Sequence, residues 1–170
     1  MVEVHLRAVR VDLASNTPVL LLEELLGERT LAIFVGAPEA TAIAYAVQGV
    51  AVPRPMTHDL ICNVLAALGA TLERVIVTDL VESTYFAELH LQKGGEAIVL
   101  SCRPSDAVAV ALRAKTPMFV ADALMDAEGL ILASDEDEAA DFDHDPEELV
   151  DQFREFLDSI GPDDFSASGS

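Results

Sequence analysis

Apolar and polar residues alternate from Val2 to Leu13, with Val2, Val4, Leu6 and Ala8 on one face. A period of two marks a half-buried strand. Ser15-Asn16-Thr17-Pro18 is turn chemistry. Val19–Leu25 and Thr30–Val35 read as a hairpin about Gly27-Glu28, ended by Gly36. The period then lengthens. Ala-rich Pro38–Val47 reads as a helix closed by Gly49, followed by a loop over Val50–Met56 with Pro53 and Pro55. Thr57 is placed to cap a second helix, His58–Leu68, closed by Gly69.

The pattern then starts again. Thr71–Val81, Thr84–Lys93 and Glu96–Cys102 read as strands, the last two joined by Gly94-Gly95. Pro104–Lys115 reads as a helix, and Ala121–Ala127 as a short one ended by Gly129. Laid on itself at an offset of 67, the chain matches residues 3–49 to 70–116 without gaps, with 9 identities in 47. Arg7 falls on Arg74, Asp12 on Asp79, Gly27 on Gly94, and Ala40, Ala42 and Ala44 on Ala107, Ala109 and Ala111. That exceeds the few chance would give. The expected fold is α+β: one domain over residues 1–133, built by duplication of a β-β-β-α unit with pseudo-two-fold symmetry. Its halves run over about 2–69 and 70–130. Two repeats are too few for a solenoid, so each half is expected to cover the other's apolar face.

Charge divides the chain differently. The formal charge is −20, of which residues 1–134 hold −7 and residues 135–170 hold −13. Residues 134–145 read as a disordered acidic linker. Asp145-Pro146-Glu147 then opens an amphipathic helix over 146–160, with Leu149, Val150, Phe153, Phe156, Leu157 and Ile160 on one face. Residues 161–170 read as a flexible end. No apolar run approaches the roughly 18 residues of a membrane span, and the first residues carry no signal-peptide pattern. Cys62 and Cys102 form no CxxC pair and read as reduced thiols of a cytoplasmic protein. No segment is a basic nucleic-acid footprint.

Two segments are distinctive: Pro53-Arg54-Pro55-Met56-Thr57-His58-Asp59-Leu60, and Arg103-Pro104-Ser105-Asp106-Ala107-Val108-Ala109-Val110-Ala111. Both resemble signature segments of the bifunctional nuclease (BFN) domain family. Thr17–Leu22 and Val35–Ala40 are similar to it too, and Phe153–Asp158 resembles the ending of actinobacterial members. The likeness spans roughly residues 2–133. Ala32 and Ser83 depart from it, standing where the family more often has proline and glycine. The resemblance implies cleavage of DNA and RNA phosphodiester bonds by a homodimer.

Such hydrolysis needs an activated water, charge stabilisation on the phosphoryl oxygens and help for the leaving oxygen. The signature segments hold suitable groups. His58, Asp59, Arg103 and Asp106 are the catalytic candidates. Arg54, Ser105, Arg113 and Lys115 are candidates for contacting substrate. Glu39, the 67-residue mate of Asp106, joins Asp59 and Asp106 as a candidate ligand for Mg²⁺ or Mn²⁺. If the pseudo-symmetry holds, the helix starts converge on one cleft with Glu39, His58, Asp59, Arg103 and Asp106. Plainer readings stand beside these. Acids in a first turn answer the helix dipole, Thr57 and Ser105 are ordinary caps, and Arg103 can bridge Asp106 or Glu39 structurally. The alternative function is a non-catalytic dimeric interaction module whose acidic tail binds a basic protein partner.

Overall fold

The computed structural model describes residues 1–12 and 14–132. The expected linker over 134–145, helix over 146–160 and end over 161–170 lie outside the described residues. The elements run β1 (Val2–Asp12), β2 (Thr17–Glu24), β3 (Arg29–Phe34), α1 (Ala37–Gln48), α2 (Thr57–Ala67), β4 (Ala70–Val81), β5 (Thr84–Lys93), β6 (Glu96–Cys102), α3 (Pro104–Ala114), β7 (Met118–Val120), α4 (Asp122–Glu128) and β8 (Leu130–Ile131). The α+β class expected from the patterning is the class observed. β2, β3 and α1 begin 67 residues before β5, β6 and α3, the offset at which the chain matches itself.

One mixed sheet takes the strand order β6-β5-β4-β7-β1-β2-β3-β8. The two meanders sit on either side of β7, which runs antiparallel to β1 and parallel to β4. They therefore run in opposite senses across the sheet. β7 and β8 were not expected from the sequence. Met118-Phe119-Val120 is too short to show a period, and its strand character comes from pairing with Val2–Val4 and Val75–Val77.

The core lies between the sheet and the helices. Leu20, Leu22, Leu31 and Ile43 are fully buried, each a contribution of about 1.5–3 kcal/mol. α3 packs centrally, against β4 and β5 and between α1 and α2. Its run Ala107-Val108-Ala109-Val110-Ala111 is wholly buried. Alanines let neighbouring backbones approach closely, which brings the starts of these helices within side-chain reach.

Two local expectations are corrected. The pairing of β1 with β2 shifts register between Leu6 and Ala8. This bulge reverses the alternation, so Val9 follows Val2 and Leu6 against the core in place of Ala8. Thr57 is the first residue of α2, and the cap position belongs to Met56. The capping group is Asp59, whose Oδ2 accepts the Met56 backbone N–H at 2.8 Å.

Candidate active site

α3 begins at Pro104, leaving Arg103 extended at the cap and Asp106 in the first turn. α1 begins the same way after Gly36, with Pro38 and then Glu39. The two starts meet on one arginine. Arg103 donates from Nε to Asp106 Oδ2 at 2.8 Å and from Nη2 to Asp106 Oδ1 at 3.0 Å. Its Nη1 donates to Glu39 Oε1 at 2.9 Å. From α2, His58 brings Nε2 to 3.2 Å from Asp106 Oδ1. A carboxylate opposite Nε2 favours the proton on that nitrogen. Nδ1 is buried and has no hydrogen-bond partner. Arg103 is 64% exposed at the side chain, whereas His58 is 7% exposed. The network therefore has a buried imidazole beneath and an open guanidinium above.

The charges reinforce one another. Hydrogen bonds from Arg103, helped by His58, hold the Asp106 carboxyl below its ordinary value against the effect of burial. Asp106 and Glu39 in turn raise the Arg103 guanidinium above its ordinary value.

Asp59 belongs to a second network. Arg113 Nε donates to Asp59 Oδ1 at 2.5 Å, Nη1 to the Ala109 carbonyl at 2.9 Å and Nη2 to the Ala42 carbonyl at 3.0 Å. One side chain thus ties α1, α2 and α3 together. Burial alone would raise the Asp59 carboxyl, but the Met56 amide and Arg113 outweigh it and hold the group low. Beside this clamp an open pocket of about 360 Å³ is lined by α1, the loop after it, α2 and Arg113.

The single cleft expected for Glu39, His58, Asp59, Arg103 and Asp106 is therefore divided. Glu39, His58, Arg103 and Asp106 form one network, and Asp59 turns to Arg113 and the pocket. Among the described residues, no three His, Cys, Asp or Glu side chains stand close enough together to hold a metal ion. With Glu39 and Asp106 on Arg103 and Asp59 on Arg113, the expected metal trio does not fit a divalent ion as these groups are paired. The expected substrate contacts divide as well. Ser105 is buried, out of reach of a phosphate in solvent. Arg113 is only 10% exposed and holds helices. Arg54 and Lys115 are exposed, but Lys115 follows Arg103 by twelve residues, about 18 Å along a helix axis. Of the positive patch expected around the signature helices, Arg103, Arg54 and Lys115 keep exposed side chains, with Lys115 at the far end of α3 from Arg103.

Sequence reasoning passed over the Ala42 carbonyl and the pocket residues Tyr45 and Asn63. Asn63 stands four residues after Asp59, one helical turn, and that spacing was the available signal. The two cysteines are free. Burial pushes the Cys102 thiol up to about 11 and raises Cys62 as well, so neither is a ready nucleophile.

The comparisons agree with this layout of segments. A family described as the bifunctional nuclease domain matches residues 19–133. The chain belongs to that family. An uncharacterized protein of Mycobacterium tuberculosis is 46% identical over 168 residues, which are 99% of this chain and 100% of that one. Bifunctional nuclease 1 of Oryza sativa subsp. indica is 29% identical over 112 residues, 64% of this chain and 34% of its own. Bifunctional nuclease 2 of Arabidopsis thaliana is 33% identical over 88 residues, 50% of this chain and 27% of its own. The shared region is thus about a third of those plant proteins. Among the described residues, no helix is long and apolar enough to cross a membrane.

Proposed function

We propose that this BFN-domain chain hydrolyses phosphodiester bonds in exposed or single-stranded DNA and RNA, with the Arg103 network as its reacting centre. The observation that carries the reading is the meeting of His58, from α2, with the neighbouring Arg103 and Asp106 of α3 at a partly open surface. Arg103 presents a planar fork suited to a phosphate. A phosphate that draws the guanidinium outward leaves Asp106 and His58 facing the reacting atoms. Water attacks phosphorus and gives its proton to the Asp106 carboxylate, while His58 in its imidazolium form gives its Nε2 proton to the leaving oxygen and is left neutral with the remaining proton on Nδ1. His58 then recovers its proton from Asp106 across their 3.2 Å contact. Nδ1 is buried, so proton traffic passes through Nε2.

We read the matching offset of the two halves as an internal duplication, with Glu39 and Asp106 as mates that meet on Arg103. A homodimer belongs to the same proposal. The edge strand β6 leaves Val99 and Leu100 about half exposed on opposite faces, and it carries no bulge, proline or lysine to discourage pairing. Sedimentation of the purified chain measures that association.

The test is cleavage of single-stranded DNA and of RNA, with Mg²⁺ or Mn²⁺ and with chelator, by wild type, His58→Ala and Asp106→Asn. Cleavage that falls with salt and is lost in both variants, with their folds intact, is the expected outcome. Metal dependence is read from the chelator arm. Cleavage that survives both substitutions refutes this site. No cleavage at all favours the interaction-module reading, which has its own support: every carboxylate of the expected site is engaged by an arginine.

A further inference from the structure

The pocket beside the Asp59–Arg113 clamp has no part in the reaction just described. It is an open depression lined by the end of α1, the loop from Val50 to Met56, α2 and the last turn of α3. Its volume of about 360 Å³ falls in the range of small-molecule sites. Val50, Val52, Pro55 and Met56 supply apolar walls. Asp59 and Arg113 line it too, but they neutralise each other at 2.5 Å and each is further occupied by backbone groups. The polar side chains with hydrogen-bonding capacity left over are the Tyr45 hydroxyl and the Asn63 amide, for which no partner is found among the described residues.

A site with apolar walls, a cancelled charge, an aromatic phenol and one amide does not select an ion. It selects a flat, uncharged group with apolar faces and a donor–acceptor edge. We propose that this pocket binds an unstacked nucleobase, with Asn63 pairing to its edge. An asparagine amide matches the adjacent donor and acceptor of adenine, as it does an edge of every other unpaired base, and adenosine serves as the first probe. Aromatic contact adds affinity for any base. The relevance of the pocket rests on the nuclease reading, whose substrate class it narrows to single strands, because a paired base cannot leave its stack for such a pocket.

The proposal also answers the charge of the chain. Residues 1–134 carry a net −7, and their exposed cations are too few for a phosphate track. Binding through a base releases no counterions and does not depend on a positive surface. Arg113 and Arg103 are ten residues apart, about 15 Å along α3. A base in the pocket therefore belongs to a different nucleotide from the phosphate at Arg103, and a flexible strand is needed to span both.

The experiment is calorimetric titration of the full chain with adenosine and the other three nucleosides at low and high salt, with ribose 5-phosphate as a probe of backbone chemistry. Asn63→Ala and Val52→Arg are compared with wild type, their folds checked by circular dichroism. Adenosine is expected to bind saturably with an affinity unchanged by salt, weakened at least tenfold in Asn63→Ala and abolished when Val52→Arg fills the pocket. Ribose 5-phosphate is expected not to bind. Absence of nucleoside binding overturns the proposal, as does equal binding of ribose 5-phosphate or full affinity in both variants. The readout is independent of cleavage. Adenosine binding without nuclease activity sustains the pocket and sinks the reaction, and cleavage without nucleoside binding does the reverse.

Discussion

Arg113 offers the sharpest separation of a substrate-binding from a structural role. Arg113→Met keeps the apolar stem and removes the guanidinium. The side chain is 10% exposed, so the lost groups are not replaced freely by water. Removing one partner of a buried ion pair costs about 3–5 kcal/mol. Asp59 retains 31% side-chain exposure and rehydrates in part, which lowers that share to about 2–3 kcal/mol. The Ala42 carbonyl lies on a residue only 3% exposed and loses its Arg113 donor, adding about 1 kcal/mol. The expected destabilisation is about 3–4 kcal/mol, or a fall of about 1.5–2 M in the urea midpoint at a slope near 2 kcal/mol/M. Arg113→Lys should lose most of it too, since one ammonium cannot reach acceptors on three helices. Urea unfolding followed by circular dichroism measures both, and a cycle with Asp59→Asn should return a coupling of at least about 1 kcal/mol. A shift within about 0.5 kcal/mol for Arg113→Met, the range of an ordinary surface change, would refute the clamp.

Ser83→Gly should stabilise the chain by about 0.5–1 kcal/mol, read as a raised melting temperature. Glu82 and Ser83 form the two-residue β4–β5 turn at φ of 49° and 63°, where a glycine is unstrained. Acid unfolding should report the two networks. The Asp59 and Asp106 carboxyls are both held below their ordinary value. Their stabilisation is therefore fully present above the unfolded carboxylate range, near pH 4, and is lost as pH falls through the lowered folded values. A double variant, Asp59→Asn with Asp106→Asn, should show a shallower loss of stability below pH 4. An unchanged slope would mean that neither carboxyl is held low.

Much of this fold was legible because local signals agreed with tertiary ones. β5 and β6 run as expected about Gly94-Gly95, which occupy positive φ as a two-residue turn requires. What escaped depended on distant partners. β7 joins the two meanders, yet its three residues carry no period of their own. The bulge near Arg7 turns Ala8 from the core without altering the residue pattern. The meeting of Glu39, His58, Arg103 and Asp106 was anticipated because two family-like segments and one repeat mate place these groups at helix starts. The separation of Asp59 from them was not legible, because it depends on how α2 crosses α3 and carries adjacent side chains to opposite ends of that helix. Ser105 was read as a cap or a phosphate contact; it stands inside α3 behind Arg103 at the cap position, and it is buried.

The 67-residue offset also accounts for the proposed reacting centre standing at one place in a chain whose halves match in sequence. Asp59 falls on Asp126, and both acids pair with an arginine, Arg113 for one and Arg29 for the other. Glu39 falls on Asp106, and both acids stand in the first turn of a helix. The mate of Arg103 is Gly36, which has no side chain to place between them, and the mate of His58 is Met125, fully buried and without a proton to move. The scaffold elements are present twice, while the cation and the imidazole are present once. The proposed phosphate clamp and its proton-transfer partner therefore have the residues they need at the start of α3 and not at the start of α1.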